Sequence, residues 1–165
     1  MGQIVINIDL ERSAIKRHLS IIGKRLYTKE GKNLFSDVTL SSAEESKILA
    51  QYICSSAQDI EAVLKQFIRQ SAYYIEVTSP AVPEIRMTIE NTRGDTDFDQ
   101  RVHDLAVSYI TLNSAAEYLS MVHPDLAQKY QRDARQKIES LVSYVFYKKA
   151  PTTSGDPLAA TASVS

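Results

Sequence analysis

Apolar and polar positions change period several times along the chain, and each change marks an element. Residues 3–10 (Gln-Ile-Val-Ile-Asn-Ile-Asp-Leu) are β-branched and partly alternating, which predicts a short strand or extended arm. From Glu11 the spacing turns helical: Ile15, Leu19, Ile22 and Leu26 share one face, and Arg12, Lys16, Arg17 and Lys24 lie on the other. The polar run Lys29-Glu30-Gly31-Lys32 ends this helix, and residues 31–42 read as a linker. Ser41 or Ser42, three residues before Glu44 or Glu45, forms a capping box that starts a long helix over 43–70. Leu49, Ile53, Ile60, Leu64, Phe67 and Ile68 make its stripe, with Ala50 and Ala57 between them.

Period two returns after Tyr73. Tyr73, Ile75 and Val77 alternate with polar neighbours, and so do Ile85, Met87 and Ile89 beyond Pro80 to Pro83. The pair predicts a β-hairpin at about 73–91. Two strands alone are marginal in water. The hairpin therefore packs on the helices or pairs with a third strand, from residues 3–10 or from a neighbouring subunit. Thr92 to Asp97 is a turn, followed by a third helix over 97–122 buried through Val102, Leu105, Ala106, Tyr109, Leu112, Ala116 and Leu119. Pro124, after His123, suits the first turn of a fourth helix reaching Lys148. So short a connection makes helices three and four antiparallel neighbours. Residues 150–165 are small, polar and Pro-broken, and alone bury too little to offset their ordering entropy. The expected architecture is mainly α: one domain over 1–149, an antiparallel bundle of about four helices with an inserted β-hairpin, then an extended polar tail over 150–165.

Composition narrows the function classes. With 19 Lys+Arg against 20 Asp+Glu in 165 residues, the net charge of −1 argues against blanket phosphate binding. Charge is nevertheless uneven: residues 1–32 carry mostly bases and residues 33–62 mostly acids. Two solvated helix faces account for this, and so does complementarity between successive copies, a head-to-tail arrangement that generates rings. The five glycines are scattered, which removes the P-loop, the dinucleotide fingerprint and the nucleophile elbow. A single cysteine, Cys54, leaves no internal disulfide and no cysteine-based zinc cluster, and fits a reducing compartment. No apolar run approaches the ~18–20 residues of a membrane span, and Met1-Gly2-Gln3 lacks a signal-peptide layout. No repeat of solenoid period is present.

Local chemistry is sparse. Asp95, Asp97 and Asp99, with His103 and Asp104 nearby, suggest a divalent-cation site, but a calcium loop counted from Asp95 has Gln100 and Ala106 where Gly and Glu belong. An acid-rich helix start explains the pattern equally well. Cys54, with no histidine local to it, reads as a small core or interface filler. His123 reads as a loop residue. Arg12, Ser13 and His18 loosely resemble the Arg-to-His spacing of HEPN helical ribonucleases, in which His is the general acid/base and Arg steadies phosphate charge. A basic, solvated helix face is the alternative. No catalytic set, metal or cofactor is expected beyond these.

The stretches Ser41 to Ala50, Ala57 to Leu64, Val102 to Ile110 and Tyr130 to Ile138, with Leu141, resemble the small helical head–tail connector (adaptor) proteins of tailed bacteriophages. The likeness covers about residues 40–150. The strand-like 73–91 stretch departs from it, and the N-terminal strand and basic helix fit it loosely. The resemblance implies a structural virion protein and not an enzyme. Such proteins form a ring, usually a dodecamer, beneath the portal protein, and offer a platform to further tail components. DNA passes through the lumen without specific binding, and no membrane is involved. The expected contact positions are Tyr74, Pro80, Val82, Pro83 and Arg86 around the hairpin, and Tyr147, Pro151, Pro157 and Leu158 toward the tail. A generic helical scaffold or regulatory partner is the remaining alternative.

Overall fold

The computed structural model describes residues 2–25, 43–74 and 83–147, with residues 20–25 described by their backbone alone. In chain order the elements are β1 (Gly2–Asn7), α1 (Ile8–Arg25), α2 (Ala43–Val63), β2 (Ile68–Tyr74), β3 (Glu84–Ile89), α3 (Phe98–Val122) and α4 (Pro124–Phe146). The described residues are thus mainly helical, with one small antiparallel sheet of order β1-β3-β2. Pro80 and Val82, the Ser41/Ser42 caps and the expected tail over 150–165 lie outside the described residues.

The third strand that the hairpin needed is β1. Gly2 pairs with Ile89 and Asn7 with Glu84, so β1 covers one edge of β3 while β2 covers the other. Ile4 and Ile6 of β1 and Ile85, Met87 and Ile89 of β3 are fully or almost fully buried. Full burial of such side chains is worth about 1.5–3 kcal/mol each. Helix α1 begins at Ile8, three residues before the expected Glu11. Asn7 is the reason: its Oδ1 accepts hydrogen bonds from the Asp9 and Leu10 amides at 3.0 and 3.1 Å, an N-terminal cap.

The expected long helix to Gln70 is corrected. Helix α2 stops at Val63, and the Leu64 carbonyl accepts from both the Phe67 and Ile68 amides at 2.8 and 3.1 Å. That turn delivers Ile68 opposite Ile89, and the chain runs on as β2. Leu64, Phe67 and Ile68 keep helical spacing, but the open edge of β3 supplies hydrogen-bond partners that only an extended chain can meet. The hairpin accordingly starts earlier than expected, at Ile68.

Helices α3 and α4 follow the expected bounds closely. A single residue joins them. His123 donates its amide to the Leu119 carbonyl at 2.7 Å, closing α3, and its Nδ1 accepts from the Leu126 amide at 3.2 Å, opening α4. Phe98, at the start of α3, stacks on Tyr144, near the end of α4, with ring centroids 5.8 Å apart, so the two helices run antiparallel. Ahead of α3, the Asn91 side chain accepts from the Arg93 and Gly94 amides and donates to the Asp95 carbonyl. Gly94 sits at φ +68°, where a side chain would be strained. One core of side chains from every element unites helices and sheet.

Candidate partner-docking surfaces

Because β3 is central, the sheet has two outer edges, and they differ. On the β1 side, His103 of α3 donates Nε2–H to the Val5 carbonyl at 3.1 Å, and Gln3, Val5, Asp99, Gln100 and His103 line a shallow cavity of about 230 Å³. Side chains of α3 thus take up part of this edge. On the β2 side no strand pairs with the outer edge among the described residues. The ladder is irregular between Ile68 and Gln70, where Arg69 is an extra residue that ion-pairs with Glu90. From Gln70 to Tyr74 the register is regular, which leaves a short, ordered row of backbone donors and acceptors.

β2 is held from its inner face. Ser71 Oγ and Tyr73 OH donate to the two oxygens of Glu61 on α2 at 2.6 and 2.8 Å. Burial pushes the Tyr73 phenol above its usual pKa, and the hydrogen bond to the Glu61 carboxylate pushes it further the same way. On the other face Tyr74 is 48% exposed, with the Arg86 guanidinium 5.8 Å from its ring centroid. Arg86 also ion-pairs with Glu84. Pro83 is tied into the sheet: its carbonyl accepts from the Ile8 amide at 3.0 Å. Of the expected contact positions, Tyr74, Pro83 and Arg86 therefore gather at one end of the β2–β3 pair.

A second surface lies at the end of α4. The Arg93 guanidinium sits 4.4 Å from the Tyr144 ring centroid and 4.7 Å from that of Tyr147, and its Nε donates to Asp95 at 2.8 Å. Arg101 reaches Tyr144 as well, at 5.2 Å. Stacking of guanidinium on aromatic faces fixes these side chains without desolvating the charge. Thr92 Oγ1 donates to the Val145 carbonyl at 2.5 Å, fastening the last turn of α4 to the turn before α3. Phe146 packs edge-on against Phe67 at 4.8 Å, yet Phe146 and Tyr147 remain 44% and 55% exposed. Phe67 directly precedes β2, so the end of α4 lies beside the start of the open edge.

The remaining chemical candidates separate. His18 packs edge-on against Tyr130 of α4 at 5.4 Å, and burial lowers its pKa. Arg12 ion-pairs with Asp9 and donates to the Ser46 carbonyl on α2 at 3.3 Å. The two side chains engage different helices and do not converge on one phosphate position. Asp95 is committed to Arg93, and His103 to the Val5 carbonyl. Among the described residues no group of three or more His, Cys, Asp and Glu side chains is placed to hold a metal ion, and no helix is long and apolar enough to cross a membrane. Burial pushes the Cys54 thiol up, away from the reactive thiolate. It borders an open groove of about 530 Å³ with Arg12 and Lys47.

Sequence reasoning missed several buried polar contacts. Glu11 is 92% covered and accepts from Thr111 Oγ1 at 3.0 Å, and burial raises its pKa. Tyr109 donates to Asp59 at 2.9 Å. Ser56 Oγ donates to the Tyr52 carbonyl and accepts from Asn113 Nδ2. Most of these partners lie fifty or more residues apart, so no local pattern announces them. Comparison with protein-family models, with curated proteins and with solved structures finds no significant match for this chain.

Proposed function

We propose that this chain is a structural assembly protein, and specifically a head–tail connector that forms a ring beneath a phage portal and extends its DNA channel. The observation that carries the reading is the outer edge of β2, which no strand pairs with among the described residues, set between Tyr74 and Arg86 at one end and Phe146 and Tyr147 at the other. An ordered edge strand flanked by exposed aromatics supports docking by strand addition, with backbone hydrogen bonds for affinity and aromatic anchors for specificity. The sheet's two edges are unlike, since His103 occupies a carbonyl of β1. A neighbour then meets β2 with a different surface, and head-to-tail contact of this kind closes into rings. The excess of bases over residues 1–32 and of acids over 33–62 supports the same arrangement. On this reading the chain is no enzyme, works in the virion, and lets DNA pass through the lumen without specific contacts.

The test is mass and shape in solution. Sedimentation and native mass measurement, alone and with portal rings, are expected to give closed assemblies at whole multiples of 18.5 kDa, visible as rings by negative stain. A chain that stays single at every concentration and never binds a portal ring overturns the proposal. Ribonuclease activity that disappears with His18→Ala would replace it with the enzyme reading.

A further inference from the structure

We propose that the outer face of α4 binds the phosphodiester backbone of nucleic acid, through Arg132 and Arg135 in a trough lined by amide side chains. Helix α4 buries Ala127, Ala134, Leu141 and Val145 in the core. Gln128, Gln131, Arg132 and Arg135, at i, i+3, i+4 and i+7, are left exposed together as one stripe. Two cavities of about 350 and 270 Å³ lie along this stripe and share Gln131 and Arg135. Gln128 and Arg132 complete the first, and Tyr109 and Asn113 of α3, with Ile138, wall the second. Both charged side chains that line them are guanidiniums. The carboxylates of α4, on Asp125, Asp133 and Glu139, line neither cavity. Among the described residues neither guanidinium has a carboxylate partner.

The lining also decides between a nucleic acid and an acidic protein. Protein partners are anchored by aromatic or aliphatic side chains in desolvated pockets. Among the described residues the apolar lining is only Tyr109, 7% exposed with its hydroxyl donated to Asp59, and the half-buried Ile138. Backbone phosphates need no such anchor. Arg presents a fixed fork of N–H donors that matches two phosphate oxygens, and amide side chains add further donors. Exposed Lys129, one turn before Arg132, extends the row, so three cations cover about 9 Å of helix axis. One DNA strand carries a phosphate per about 3.4 Å of its axis, which sets two or three phosphates against them. The near-zero net charge does not oppose this, because salt screens charges beyond about 10 Å and a phosphate at the trough feels the local stripe. Such contacts carry no sequence information and let DNA slide past. The inference stands on α4 alone and goes beyond the connector reading.

Fluorescence anisotropy of a labelled DNA duplex, titrated with the full chain over a range of salt, tests this. The logarithm of the binding constant is expected to fall with the logarithm of salt at a slope of about −2 to −3 per chain, about 0.9 for each phosphate neutralised. Arg132→Gln with Arg135→Gln, both at exposed positions, is expected to weaken low-salt binding about tenfold or more and to flatten the slope by about two. Arg132→Lys with Arg135→Lys keeps the charges and is expected to keep the slope. Arg17→Gln with Lys65→Gln removes the same net charge from exposed positions elsewhere and is expected to change binding less than about twofold. Equal losses in the two glutamine pairs overturn the proposal, because the effect then follows net charge alone. Absence of binding at the lowest salt overturns it as well. So does tighter binding of poly-glutamate than of the duplex, which assigns the stripe to an acidic protein. Sedimentation of each variant is read alongside. A chain that stays single yet binds with this slope upholds the inference while the connector reading fails, and rings that bind no duplex do the reverse.

Discussion

Removing one hydroxyl from Tyr73 tests how β2 is held. Tyr73→Phe keeps the ring between β3 and α2 but deletes the hydrogen bond to Glu61, 2.8 Å in length. A buried bond to a charged acceptor contributes about 1.5–3 kcal/mol. Here Glu61 is only half-buried and keeps Ser71, at 2.6 Å, on its other oxygen, so water replaces part of what is lost. The expected cost is about 1–1.5 kcal/mol, or about 3–5 °C in melting temperature for a chain of this size. Urea unfolding at pH 7, followed by circular dichroism, reads it directly. In a cycle with Glu61→Gln the coupling should be about 1 kcal/mol. The alkaline limb gives a second readout. Burial and the Glu61 carboxylate raise the Tyr73 pKa above its ordinary 10, so the unfolded chain ionises first as pH passes 10. The associated stability is complete below pH 10 and is lost as pH rises, and Tyr73→Phe should remove that share of the loss. Wild-type stability at pH 7 together with an unchanged alkaline slope would refute the contact.

Ser56→Ala should cost about 1 kcal/mol, because it strips Asn113 Nδ2 of its partner, whereas Ser114→Ala, which loses only a marginal 3.5 Å contact, should cost less than about 0.5 kcal/mol; thermal melts that reverse this order contradict the assignment. Phe98→Ala, at a fully buried site stacked on Tyr144, should cost about 3–5 kcal/mol by urea titration. His18 is held neutral by burial, so the unfolded chain takes up its proton first as pH falls below 6.5 and stability drops; His18→Phe should flatten that acid limb, checked by melting between pH 7 and pH 5. Arg93→Ala should raise hydrogen exchange over residues 143–147, since Arg93 bridges Asp95 and both Tyr144 and Tyr147; unchanged exchange there would show that Arg93 does not fasten the end of α4.

Where apolar spacing and local breakers agree, the chain was readable. Pro124 after His123, and the stripe from Val102 to Leu119, placed α3 and α4 to within a residue or two. The alternation of Ile85, Met87 and Ile89 placed β3. The failure at the end of α2 is instructive, because Leu64, Phe67 and Ile68 satisfy a helix and a turn-plus-strand equally well, and only the edge of β3 decides between them. Asn7 carried a readable cap signal ahead of Asp9 and Glu11, yet the strand-like isoleucines masked it. The docking surfaces divide in the same way. Tyr74, Arg86 and Tyr147 were among the contact positions expected around the hairpin and toward the tail. Arg93 was not, because stacking on Tyr144, some fifty residues on, leaves no mark in the local sequence.

The middle place of β3 also has a consequence for biosynthesis. Ile4 and Ile6 leave the ribosome well before their partners Met87 and Ile85, which follow only some eighty residues later. At about 5–20 residues per second that is a wait of several seconds. Through that interval a sticky, isoleucine-rich ribbon is tethered to the nascent polypeptide with nothing to zip onto. Closing the sheet is then a late event spanning about half of the chain, which favours slow maturation and makes that ribbon a natural client for chaperones.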